Sequence, residues 1–197
     1  MTQVVLAVED ELSEKIGRRL TMDVGLQVDL VLRKQGNGYL KSKIANFCEI
    51  AQHTPVLLIT DLDTTTTVEK LKVDWLNKTK PPKSFLFHVA VREVESWLLA
   101  DHQGMKQMLG KKINKLPVAP DDLADPKSHL LNLAASASRD VRDDLVAERG
   151  SVARQGLGYN KRLSAFVIEK WDPEAAADRS PSLRLLRQDL LRLSEAS

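Results

Sequence analysis

The chain has 197 residues, 43% hydrophobic and 28% charged, a composition that indicates a globular protein and excludes a disordered one. Its 29 basic and 27 acidic residues leave a net charge of +2, which neither requires nor excludes a nucleic-acid partner, because binding depends on local patches. A single cysteine, the lack of a signal-peptide pattern and the lack of any run of roughly 20 apolar residues predict a cytoplasmic protein without a membrane segment.

The first hundred residues alternate between short apolar runs and segments with helical spacing of apolar side chains. We predict strands over 3–8, 26–32, 55–60 and 84–91, and helices over 11–20, 39–51, 66–77 and 93–100. Such alternation is typical of a parallel sheet with helices on both faces, and strands that are apolar on both sides fit a covered sheet. The sequence therefore predicts an α/β, Rossmann-like fold around a mostly parallel four-stranded sheet.

The pattern changes near residue 103. Residues 103–125 are rich in Gly, Pro, Lys and Asp and are predicted to be loop-rich, whereas 127–147 and 160–171 have helical spacing. Ser180 followed by Pro181 predicts the start of a last helix, and no strand is evident after residue 91. We predict an α/β domain over 1–102 and a helical extension over 103–197 packed on it, with one structural domain overall as the alternative.

Acidic side chains follow three of the four predicted strands. They are Glu9 and Asp10 after the first, Asp61 and Asp63 after the third, and Glu93 and Glu95 after the fourth. Ligands of open parallel α/β sheets bind at the carboxyl ends of the strands. On an extended segment, residues two apart point to the same side, so Asp61 and Asp63 can converge. Because hard cations take oxygen ligands, the pattern predicts a site for Mg²⁺ or Mn²⁺ at this edge.

Each acidic pair also has a simpler interpretation. Asp63 or one of the threonines at 64–67 could cap the helix that begins near residue 66. Glu9 and Asp10, and likewise Glu93 and Glu95, could be first-turn acids that favour the positive end of a helix dipole. The metal hypothesis therefore depends on all three pairs reaching one edge of the sheet.

Two segments resemble the Toprim domain, whose pattern is a Glu after the first strand and an Asp-x-Asp after the third. They are VVLAVEDELSE, residues 4–14, which contains Glu9, and LLITDLD, residues 57–63, which contains Asp61 and Asp63. The segments HVAVREVESWLLAD, DPKSHLLNL and GYNKRL resemble an uncharacterised bacterial branch of that family. This branch is similar to the OLD nucleases and to Toprim-containing phage-defence proteins.

The resemblance implies a nuclease that uses Mg²⁺ or Mn²⁺ to hydrolyse nucleic-acid phosphodiester bonds, with a role in phage defence. Glu9 matches the general acid/base or metal ligand, and Asp61 and Asp63 match the metal-binding pair. Glu93 or Glu95 would supply the outer ligand of a second metal. Asp10 stands where the family commonly has Gly, which weakens the case for catalysis. No tyrosine is expected near this edge, which favours hydrolysis over covalent strand passage.

Two alternatives remain open at this point. One is a catalytically weak Toprim-like module, suggested by Asp10 in place of Gly and by the modest net charge of +2. Because the sequence contains no Walker A loop, an ATPase partner of this module would be encoded separately. The other is a phosphoesterase that acts on a small molecule. A homo-oligomer is compatible with each of these functions.

Basic side chains supply candidate contacts to a phosphate backbone. Lys70 and Lys72 lie on the helix after the third strand, and Lys161 and Arg162 follow the glycine-containing segment 156–158. A solvated helix face is the alternative interpretation of the same residues.

Overall fold

Within residues 2–33, 36–111 and 113–196, which the computed structural model describes, four strands form one sheet. They are β1 (Gln3–Val8), β2 (Gln27–Arg33), β3 (Val56–Asp61) and β4 (Phe85–Ala90). Their order is β2-β1-β3-β4, and all three pairings are parallel. The predicted four-stranded α/β architecture is confirmed, with a sheet that is wholly parallel.

Helices connect the strands and then form the rest of the described chain. Those between the strands are α1 (Glu11–Asp23), α2 (Asn37–Ser42), α3 (Ile44–Ile50) and α4 (Val68–Leu76). Those after β4 are α5 (Glu95–Ala100), α6 (His102–Leu109), α7 (Pro126–Ala134), α8 (Arg139–Leu145), α9 (Tyr159–Glu169), α10 (Pro173–Ala177) and α11 (Pro181–Glu195). None of the helices in the described ranges is long and apolar enough to cross a membrane.

Three predicted segments differ from the structure. The helix predicted over 39–51 is two helices that meet at Lys43, and the helix predicted over 127–147 is interrupted between α7 and α8. The loop predicted over 103–125 is wrong at its start, because α6 occupies its first seven residues. The Asp101 side chain caps α6 by accepting from the Gly104 amide at 2.9 Å, and the buried Met105 and Met108 pack inward.

Alternate side chains of β1 enter two different apolar cores. Val4 and Leu6 face a core that contains α1, α5 and the later helices, whereas Val5 and Ala7 face a core formed with α2, α3 and α4. This alternation follows from the two-residue period of a strand. The first core continues from β1 into the helices beyond residue 102, so the helical region packs on one face of the sheet.

Trp97 connects this helical region to the sheet side of the molecule. It is fully buried on α5, its indole Nε1 donates to Ser182 Oγ on α11 at 2.8 Å, and its carbonyl accepts from Trp171 Nε1 at 3.3 Å. Loss of this side chain would leave a cavity and remove the hydrogen bond to Ser182.

We expect Trp97→Ala to lower the free energy of unfolding by about 3–5 kcal/mol, the usual cost of removing a large buried aromatic side chain. Urea denaturation followed by circular dichroism measures this change. The control is Val73→Ala on α4, where the side chain is 68% exposed and the expected change is within about 0.5 kcal/mol. Equal stability of the two variants would contradict the described packing.

Candidate active site

The strand order brings the three predicted acidic segments next to one another. Because β3 lies between β1 and β4, the chain leaves these three strands at adjacent points on the carboxyl edge of the sheet. Asp61 is the last residue of β3, Glu9 follows β1, and Glu93 and Glu95 follow β4. We call this set, together with Asp63, the acidic edge.

Glu9 links the ends of β1 and β3 through its side chain. The ladder between these strands ends at the pair Ala7 and Leu58. Beyond it, Glu9 Oε1 accepts from the Asp61 backbone amide at 3.1 Å and from the Thr60 hydroxyl. Burial raises the pKa of Glu9 above its usual value, although these two hydrogen bonds oppose the shift. Glu9 therefore holds a proton more readily than a carboxylate in water.

Asp61 lies at the electrostatic centre of the acidic edge. Its Oδ1 accepts from the Val94 amide at 3.0 Å, which ties the end of β3 to the start of α5. Burial raises its pKa well above the usual value, and the next largest causes are the negative charges of Glu95 and Glu9. Asp61 as a whole residue is only partly buried.

Asp63 does not continue the extended geometry that the spacing argument assumed. Its backbone is left-handed, with φ 49°, so the chain turns away after β3 ends. The exposed Asp63 carboxylate accepts from Asn37 Nδ2 at 3.1 Å. Arg92, itself at φ 64°, donates from Nη1 to the carbonyls of Asp63 and Thr65, both at 2.9 Å. The loops after β3 and β4 are thus held together by this guanidinium and by the Asp63 amide, which donates to the Arg92 carbonyl at 2.9 Å.

Glu95 is buried and has two partners from the helical region. Its Oε1 accepts from the Tyr159 hydroxyl at 2.7 Å, and Lys127 Nζ lies 4.0 Å from the same oxygen. Burial raises the pKa of Glu95, while the Tyr159 hydrogen bond and the Lys127 charge oppose the shift. Glu93 Oε2 accepts from the Lys127 amide at 2.8 Å, at the N-terminus of α7. The start of α7 therefore contacts both acids.

The position of Tyr159 corrects one prediction. A tyrosine does lie near this edge, because α9 packs so that its first residue reaches α5 from 64 positions along the chain. Tyr159 is 1% exposed, and burial together with the charge of Glu95 raises its pKa strongly. It therefore acts as a hydrogen-bond donor that orients Glu95. The GYNKRL segment that contains Tyr159 does not by itself indicate this role.

Capping accounts for two of the neighbouring polar residues. Asp10 caps α1, since its side chain accepts from the Ser13 amide at 2.8 Å, and its extended backbone, φ −140°, needs no glycine. Thr67 caps α4 by accepting from the Lys70 amide at 3.1 Å, which confirms the prediction that a threonine has this role. Asp63 does not cap the helix.

The four basic residues predicted to contact phosphate occupy different environments. Lys70 is exposed on α4, whereas Lys72 is partly buried with Nζ 5.5 Å from the Phe87 ring centroid. On α9, Lys161 is exposed, and Arg162 Nε lies 2.6 Å from Asp144 Oδ2. Lys161 and Arg162 also line a cavity of about 330 Å³. Their contact with nucleic acid stays a prediction.

A family model described as "Domain of unknown function (DUF4276)" matches residues 8–191, nearly the whole chain. The chain belongs to the DUF4276 family. The matched segment contains every member of the acidic edge and Tyr159. The family description names no activity, so the resemblance to Toprim stays a prediction. No curated protein and no solved structure gave a significant match.

Among the described residues of this DUF4276 protein, no three His, Cys, Asp or Glu side chains lie close enough together to hold one metal ion. The hydrogen bonds explain this, because Glu9, Asp61 and Asp63 each turn one oxygen toward a different protein donor. The donor chemistry nevertheless fits Mg²⁺, which takes oxygen ligands and is often held by one or two carboxylates and several waters. Binding would require the carboxylates to move together.

We expect Asp61→Asn to stabilise the DUF4276 protein at neutral pH in the absence of divalent cations. Because the pKa of Asp61 is raised in the folded state, folded chains keep a proton that unfolded chains release above the ordinary value of 3.8. Stability therefore falls as pH rises through the folded pKa. Asparagine retains an acceptor for the Val94 amide and removes the charge. The free energy of unfolding should therefore rise by about 1.4 kcal/mol for each pH unit that separates the folded and unfolded pKa values of Asp61.

Urea denaturation across a pH series measures this difference, which should shrink as the pH falls from neutral toward the unfolded value of 3.8. Asp74→Asn, on the exposed side of α4, is the matched control and should stay within about 0.5 kcal/mol of the wild type. A less stable Asp61→Asn protein at pH 7 would contradict the electrostatic description of this edge.

Proposed function

We propose that this protein is a Toprim-like nuclease that uses Mg²⁺ or Mn²⁺ to hydrolyse nucleic-acid phosphodiester bonds at the acidic edge. The observation that supports it best is the position of Asp61, whose amide donates to Glu9 after β1 and whose carboxylate accepts from the Val94 amide between Glu93 and Glu95. Close like charges repel by about 4 kcal/mol per pair at intermediate dielectric. A divalent cation bound between these carboxylates would reduce this repulsion and so stabilise the folded protein.

Asp61 is the residue that would hold the metal, and Glu9, which follows the adjacent strand β1, lies beside it because its Oε1 accepts from the Asp61 amide. Asp63 and Glu93 extend the carboxylate set on either side. A bound Mg²⁺ would neutralise the phosphate and favour ionisation of an attacking water. Glu95 is positioned by Tyr159 and Lys127, so its carboxylate presents a fixed orientation to the edge.

Glu9 is the proposed acceptor of the proton from the attacking water. A general base works best when its pKa lies close to the operating pH, and burial moves the Glu9 pKa in that direction. The Thr60 hydroxyl and the Asp61 amide both bind Oε1, which leaves Oε2 as the oxygen that takes the proton.

We expect the purified chain to cleave single- or double-stranded DNA or RNA in the presence of Mg²⁺ or Mn²⁺ and not in EDTA. Glu9→Gln and Asp61→Asn should each lower the rate by about 10²-fold or more, the usual effect of losing a general base or a charged group at the reacting centre. Gel electrophoresis of labelled substrates measures the products. Asp74→Asn should cleave at the wild-type rate.

Three other outcomes would count against this function. Cleavage that survives Asp61→Asn would place the activity elsewhere or in a contaminant. Hydrolysis of p-nitrophenyl phosphate without polymer cleavage would favour a phosphoesterase. A chain that binds Mg²⁺ without any hydrolysis would favour the catalytically weak module, whose partner would be a separate ATPase.

Metal binding can be tested apart from catalysis. We expect millimolar Mg²⁺ to stabilise the wild type, by about 2.7 kcal/mol if its concentration reaches 100 times the dissociation constant. Asp61→Asn should lose most of this gain because the central ligand is removed, whereas Asp74→Asn should keep it. Thermal unfolding with and without Mg²⁺ measures the gain, and identical shifts in the two variants would argue against this metal site.

A further inference from the structure

The loop between α8 and α9, residues 146–158, has a firmly held base. The Gly156 amide donates to the Leu145 carbonyl at 2.8 Å, and Val146 forms an antiparallel bridge with Gln155. A Cβ on Gly156 would lie 2.3 Å from the backbone oxygen of Asp144, so only glycine fits this approach. The loop is therefore fixed where it leaves and rejoins the helices.

Several cationic and apolar side chains of the same loop are exposed to solvent. Val152 and Leu157 are fully exposed, and Arg154 has a side chain that is 60% exposed. Arg149 is a second exposed cation in the loop. The loop also contains the exposed acid Glu148, so Arg149 and Arg154 are the groups through which this fixed loop could contact a large anionic ligand.

Arg154 lies beside the acidic edge. Its Nη2 is 2.5 Å from Asp125 Oδ2 and 2.5 Å from Ser128 Oγ, on either side of Lys127, whose amide binds Glu93. Its pKa is raised chiefly by the Asp125 contact, and the negative charges of Glu93 and Glu95 add to the shift. Arg154 is thus within electrostatic range of the acids that follow β4.

Within the described ranges, Arg92 and Lys127 are two further cations near this edge, and both are already engaged in holding it together. The Arg92 guanidinium donates to two loop carbonyls, and Lys127 Nζ lies near Glu95 and 4.8 Å from the Tyr159 ring centroid. Both residues are partly buried. Arg154 is more exposed, and exposed ion pairs such as that with Asp125 contribute little to stability. A phosphate can therefore replace Asp125 as its partner.

We propose that Arg154 leaves Asp125 and binds a backbone phosphate of a nucleic-acid strand that lies across the acidic edge. The acids repel a polyanion, so a strand can approach them only where a nearby cation offsets that repulsion. Guanidinium groups bind phosphate oxygens through two parallel hydrogen bonds, which also fixes the orientation of the strand. This inference rests on the proposed function for the choice of ligand, but binding does not require cleavage.

The test uses the full chain, labelled short DNA and RNA single strands and a DNA duplex, with EDTA present so that neither metal binding nor cleavage contributes. We expect Arg154→Gln to weaken binding roughly tenfold at low salt. The slope of the logarithm of the association constant against the logarithm of the salt concentration is negative. Its magnitude should decrease by about 0.7 for a single strand, the value for one lost phosphate contact. Fluorescence anisotropy at several salt concentrations measures both quantities.

Arg139→Gln is the matched control, because it removes the same charge from a side chain that is 88% exposed on α8. It should change the dissociation constant less than twofold, and equal effects of the two substitutions would overturn the proposal. Failure of the wild type to bind any of the three probes would also overturn it. Binding that depends on Arg154, without cleavage in Mg²⁺, would support this proposal and contradict the nuclease function.

A second variant tests the exchange of partners. Asp125→Ser keeps a favourable cap for α7 and removes the carboxylate that competes with phosphate for Arg154. We expect it to tighten binding severalfold in the wild-type background and to have little effect together with Arg154→Gln. Equal tightening in both backgrounds would show a general charge effect and would overturn the proposed exchange.

Discussion

The parallel pairing of β3 with β1 on one side and β4 on the other is the constraint on which the rest of the structure depends. It makes three separate chain segments leave the sheet at adjacent points of one edge. Acids placed after these strands then lie along the same edge, and α5 must start where Asp61 can bind the Val94 amide. The position of α5 in turn fixes Trp97, and through it the packing of the later helices.

The protein offsets part of the repulsion among these acids with uncharged donors. Backbone amides bind Glu9, Asp61 and Glu93, and hydroxyl groups bind Glu9 and Glu95. These bonds do not cancel the desolvation of the carboxylates, since the pKa values of Glu9, Asp61 and Glu95 stay raised. Buried carboxylates that repel one another lower the stability of the folded state. Destabilising arrangements of this kind are common at functional sites.

Short-range sequence patterns predicted those features that depend on short-range interactions. The strands, the helix caps at Ser180 and in the threonine run, and the adjacency of Glu9 and Asp61 follow from short-range periodicity and from the geometry of parallel sheets. The roles of Tyr159 and Arg154 could not be predicted in this way, because each depends on how distant helices pack against α5 and α7. Similarly, the left-handed turn at Asp63 depends on Arg92 from another loop, and no spacing rule within residues 61–67 contains that information.

The hydrogen bond from the Asp61 amide to Glu9 makes the pairing at the end of β3 depend on a side chain that can ionise. A side-chain oxygen there takes the place that a backbone carbonyl would have had if β1 continued, so the last step of the ladder has an acceptor that can change its charge and its partners. Whatever alters the electron density on that oxygen also alters the strength with which the end of β3 is held. A ligand that changes the charge on Glu9 would therefore also change the strength of the hydrogen bond from the Asp61 amide.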